Sequence, residues 1–124
     1  MKNNRIKRLN SLLKEVLSEV INRDIYNPDI AKFTTVTNVE ITKDLHHAKV
    51  YISILSDDES QKGKTIAVLQ HLARQIAFFA SKKMVIRYFP ALTFILDNTA
   101  DEHFKIDHIL KTIEQEKQSR HHNT

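Results

Sequence analysis

Several lysines and arginines in this 124-residue chain stand where clustered positive charge could grip a polyanion. Arg5, Lys7, Arg8 and Lys14 fall near the start, Arg74, Lys82, Lys83 and Arg87 further on, and Lys43 and Lys49 bracket a short polar stretch. Clusters of this kind neutralise phosphates and release condensed counterions. A solvated protein surface carries the same residues, so each cluster admits that plainer reading. Lys117 and Arg120 read as tail charge. Other residue types offer less chemistry. Asp44 is a lone carboxylate in a turn, where it serves best by accepting nearby backbone N–H groups. His46 and His47 are adjacent, so on a strand they point to opposite faces and make no metal site. His121 and His122 lie in the tail, and two histidines are too few. Phe78, Phe79, Tyr88, Phe89 and Phe94 could stack on bases, but most fall on apolar stripes and read as core. Tyr51 or Tyr88 is the ring expected at the surface.

Composition excludes more than it selects. The chain has no cysteine, which removes disulfides, thiolate catalysis and Cys-based zinc sites and fits a reducing compartment. Gly63 is the one glycine, so no phosphate-cradling glycine loop can be built. The GxxG loop of ordinary KH modules is excluded with it. Net charge is +4 and the pI near 9.4, which favours anionic partners, nucleic acid first. Hydrophobic residues make up 41%, enough for one modest core. No apolar run reaches a span of about 18 residues, and no apolar signal core follows the basic start. A soluble, cytoplasmic chain is expected.

These side chains need elements to place them. Ile6, Leu9, Leu13, Val16, Leu17 and Val20 recur at helical spacing, which predicts a helix over 5–23. Its early positive charges oppose the helix dipole, as phosphate contact would require and as a solvated end also allows. Asn27-Pro28-Asp29 breaks the chain. Thr34 to Thr42 reads as a strand whose alternation slips once, and a bulge near Asn38 would restore it. Lys43 to His47 is a turn, and 48–54 alternates cleanly as the second strand of an antiparallel hairpin. Ser56 to Lys64 reads as a loop and 64–82 as a second long helix with Ile66, Leu69, Ala73, Ile76 and Ala80 facing the core. Met84 to Tyr88 reads as a short extended piece, Pro90 breaks it, and Leu92 to Leu96 is a third strand. Ile106, Ile109, Leu110 and Ile113 suggest a last helix, and 117–124 a frayed polar tail. The fold class is α+β, a three-stranded sheet with helices on one face.

Four stretches, in order, carry a resemblance to a known family. They are Arg8-Leu9 with Asn27-Pro28-Asp29-Ile30, the run Val36 to Leu45, Ala48-Lys49-Val50-Tyr51-Ile52-Ser53, and Arg87 to Phe94 with Asp97 after it. From about residue 5 to residue 113 the sequence resembles ribosome-binding factor A. The resemblance implies a KH-like domain of the second type over 1–116 and no enzymatic activity, cofactor or metal. It implies binding to the immature 30S small ribosomal subunit and its 16S rRNA near the 5′-terminal helix and the neck, and a monomer is the default expectation. It also implies a role in late maturation, rRNA processing and growth in the cold, with other assembly factors as further partners and no membrane. It favours the first two basic clusters as RNA contacts. One departure stands out. Where the family has Ala-x-Gly at a kink in the second helical segment, this chain has Leu72-Ala73-Arg74, and Ala77 replaces a basic residue that often follows. The competing reading is a protein-interaction module docking through the sheet's outer face or an edge strand.

Overall fold

The computed structural model describes residues 2–98. The apolar stripe at helical spacing builds α1, Lys2–Glu19, which buries Leu13, Val16 and Leu17. It runs on into a π-helical turn, Val20–Asp24, where the Ile25 N–H donates to the Val20 carbonyl at 3.0 Å. Asn27 then closes an Asx turn, its Oδ1 accepting from the Asp29 N–H at 2.9 Å.

Strand β1, Thr34–Ile41, pairs antiparallel with β2, His47–Ile54. The expected bulge is present. Val36 faces Ile52 and Asn38 faces Tyr51, so Thr37 is the extra residue. It donates its hydroxyl to Asp97 Oδ2 at 2.7 Å. The insertion returns Val39 and Ile41 to the face that Val36 occupies, and all three are buried.

The second helical segment starts earlier than its apolar spacing suggests. Helix α2 spans Glu59–His71, because Asp58 caps it by accepting from the Ser60 N–H at 2.9 Å. The stretch read as a loop up to Lys64 therefore holds the helix's first turns. A break at Leu72, with φ −90° and ψ 8°, separates α2 from α3, Ala73–Ser81. The kink thus forms without glycine. Among the described residues only Leu45 has a positive φ, so Arg74 meets no backbone demand that glycine alone could satisfy. Met84 to Tyr88 is not a strand but a bent connection. It leads through buried Pro90 into β3, Ala91–Leu96, which pairs in parallel with β2. A parallel neighbour needs a long crossover, and α2 and α3 supply it.

The sheet order is β1-β2-β3, an α+β arrangement of helix, two strands, kinked helix and third strand. This is the order expected of a KH-like domain of the second type. Helix α1 lies over β1, and α2 and α3 lie over β3. Between the layers sit Leu13, Leu17, Val50, Ile52, Leu69, Ile76 and Phe94. Buried Thr65 ties the loop before β1 to α2. Its Oγ1 accepts from the Ala31 N–H at 3.0 Å and donates to the Gln61 carbonyl at 2.8 Å. The expected last helix and the tail lie outside the described residues.

Candidate nucleic-acid interface

The basic residues of the three clusters are all exposed, but the fold regroups them. On α1, Arg5 and Arg8 share the flank that carries Leu9 and Leu12, whereas Lys7 and Lys14, seven residues apart, share a different one. The α1 cluster therefore wraps around the helix, with Arg8 also bordering a shallow hollow that Lys7 lines. Arg87, counted with the second helix, joins the first of these flanks instead. Together with the β1–β2 turn, these residues enclose a groove of about 710 Å³. Three elements far apart in sequence meet there: the start of α1, the hairpin turn, and the α3–β3 connection.

The groove mixes charge with apolar surface. Arg5, Arg8 and Arg87 supply the cations. Exposed Leu12, Leu45, Val85 and Tyr88 supply open apolar surface, and Leu9, His46 and Ile86 complete the lining beside Asp44. The Arg87 guanidinium lies 5.4 Å from the Tyr88 ring centroid, a cation–π pair. Asp44 also lines the groove, and its carboxylate is engaged within the turn. It accepts from the Thr42 hydroxyl at 2.5 Å and the His46 N–H at 3.1 Å. The Thr42 bond, then the His46 backbone bond, hold the Asp44 carboxyl below the usual carboxylate range. Asp44 thus has the turn-stabilising role expected of it.

The other candidates lie elsewhere. Arg74 borders a second groove of about 490 Å³ beside the kink, with His71, Phe89 and Pro90. Lys82 stands 4.3 Å above the Phe78 ring. Lys83 is committed to an internal clasp, 3.2 Å from Glu19 and 3.4 Å from Asp24. Bonds to Glu19 and then Asp24 raise its pKa, so its charge is balanced where it sits. Lys49 lies on the open face of the sheet, opposite Glu40 and next to Thr93. Lys43 sits in the turn, just beyond β1.

The structure sorts the aromatic rings. Phe78 is not core but more than half exposed, edge-on to Phe79 at 5.9 Å. Tyr51 is only partly exposed and donates its hydroxyl to Glu40 Oε2 at 3.2 Å, while Tyr88 is open as expected. Sequence reasoning passed over Leu12 and Val85. Leu12 falls at the margin of α1's apolar stripe, and that off-centre position was the available signal. Nothing in Val85's neighbourhood along the chain marked it.

The sheet's edges bear on docking by strand addition. On β1, Asn10 Oδ1 of α1 accepts from the Ile41 N–H at 2.8 Å. On β3, the Gln70 amide accepts from the Phe94 N–H at 2.9 Å and donates to the Leu92 carbonyl at 3.0 Å. A helix side chain thus occupies part of each edge. Among the described residues no group of histidines and carboxylates could hold a metal ion, and no helix is long and apolar enough to cross a membrane.

Comparison with known proteins gives a consistent result. The family model described as ribosome-binding factor A matches residues 5–110. A ribosome-binding factor A from Protochlamydia amoebophila is 50% identical over 116 residues, covering 94% of this chain and 88% of that protein. The solution structure of a Thermotoga maritima protein described as a putative ribosome binding factor A superposes with a TM-score of 0.66. It is 26% identical and covers 73% of this chain and 85% of its own. The Thermus thermophilus ribosome binding factor A, a homology model fitted into the cryo-electron-microscopy map of a 30S complex, gives a TM-score of 0.60 at 22% identity. That match covers 73% of this chain and 92% of the other.

Proposed function

We propose, from the premise that this chain belongs to the ribosome-binding factor A family, that it is a non-enzymatic factor that binds the immature 30S ribosomal subunit. It holds 16S rRNA near the 5′-terminal helix and the neck and assists late maturation, rRNA processing and growth in the cold. It acts in the cytoplasm as a monomeric domain. The 30S complex of the Thermus relative supports the partner. The observation that carries the mechanism is the convergence of Arg5, Arg8 and Arg87 on one groove, where the lining carboxylate, Asp44, is tied into its own turn. Arginines so placed grip phosphates by charge-assisted hydrogen bonds.

The test is co-sedimentation of the full chain with precursor small subunits across a salt series. Binding should weaken steadily as salt rises, because each phosphate neutralised releases condensed counterions. Binding that is equally tight at low and high salt overturns the phosphate mechanism. No binding in dilute buffer overturns the partner.

A further inference from the structure

The arginine groove carries more apolar surface than a phosphate grip needs. Leu12 is 42% exposed, Leu45 43%, Tyr88 68%, and Val85 fully open. Contact with a duplex backbone calls for cations and polar donors, and open apolar side chains beside them add nothing to it. An unpaired nucleotide presents a flat ring as well as a phosphate, and meets both kinds of surface at once.

Leu45 sharpens the point. Its φ is 64°, a left-handed conformation that glycine adopts freely and a branched side chain resists. Burial explains its presence only in part, since a large share of the residue stays exposed where it lines the groove. Tyr88 lines the same groove, with the Arg87 guanidinium over its ring. Three arginines against one engaged carboxylate make the groove complementary to a polyanion rather than to a protein segment.

We propose that this groove takes one unpaired nucleotide of RNA, its base against Tyr88 and the Leu45–Val85 surface, its phosphates on Arg5, Arg8 and Arg87. The assignment rests on the RNA-binding reading above and adds that the bound element is single-stranded at this point. Specificity then comes from the absence of pairing rather than from the identity of the base, because every base has a stacking face.

Fluorescence anisotropy of the full chain with labelled hexauridylate, hexaadenylate and a short blunt RNA duplex tests it. Both single strands should bind more tightly than the duplex at equal ionic strength. Tyr88→Ala should weaken single-strand binding roughly ten-fold, while Tyr88→Phe, which keeps the ring, stays within about two-fold of wild type. The single strands should also shift the methyl resonances of Leu45 and Val85. Undiminished binding by Tyr88→Ala, a duplex that binds as well as the single strands, or unmoved methyls would each overturn the assignment. If wild type still co-sediments with small subunits in that case, the groove assignment fails alone. If wild type binds neither subunits nor RNA, the broader reading fails with it.

Discussion

Thr65 shows how one hydroxyl joins distant segments. It is fully buried and satisfies the Ala31 N–H across 34 residues of sequence. Thr65→Val keeps the shape and removes the acceptor. A buried donor left unpaired costs about 1–3 kcal/mol, so a clear fall in Tm is expected by calorimetry. Asp44 and Asp58 make a different prediction. Hydrogen bonds from Thr42 and His46, and from Ser60, lower their pKa values below the usual range. A depressed carboxylate stabilises the fold above its unfolded pKa, and that contribution is lost as pH falls through the lower folded value. The Tm gap between wild type and an Asp44→Asn, Asp58→Asn variant should therefore be present at neutral pH. It should close below about pH 4. A gap independent of pH would mean that the charges play no part. Lys83 has the opposite sign: its raised pKa leaves the clasp to Glu19 and Asp24 intact until strongly alkaline pH.

At the scale of elements, the two helices of the crossover hold the clearest signals and the clearest surprises. Gly63 lies inside α2, and a Cβ built there meets nothing within 4 Å. Its φ is not positive, so no turn requires glycine. Gly63→Ala should stabilise the protein by about 1 kcal/mol, raising Tm by about 4–8 °C, through the entropy removed from the unfolded chain. Gln70, two residues before the kink, spends both ends of its amide on the edge of β3. Gln70→Ala frees those backbone groups. A lower Tm and self-association on raising the concentration, read by light scattering, are expected. The sequence exposed α1, both hairpin strands, the bulge and β3, because period and turn chemistry are local. It misplaced the start of α2, where the Asp58 cap was passed over in favour of apolar spacing.

For the whole molecule, the question is which cations act together. Arg5 and Arg8 face the groove, and Lys7 and Lys14 do not line it. Arg5→Glu with Arg8→Glu should abolish co-sedimentation with small subunits. Lys7→Glu with Lys14→Glu changes net charge equally and should cost less. Equal losses from both pairs would point to net charge rather than to the groove. Lys83 does not belong in such a test, because reversing it breaks the clasp that ties α3 to the end of α1.

Local pattern in the chain was enough for the fold class, the strand-turn-strand block, the excluded chemistries and the identity of the basic residues. Each follows from composition or from neighbours within a few positions. Grouping was beyond its reach. Arg87 stands 79 residues from Arg8 along the chain, and they meet only because the β2–β3 crossover returns the chain beside α1. The exposure of Phe78 and the pairing of Lys83 were out of reach for the same reason. Whether a helical side chain faces core, solvent or a carboxylate depends on what packs against its helix, and that is a property of tertiary structure.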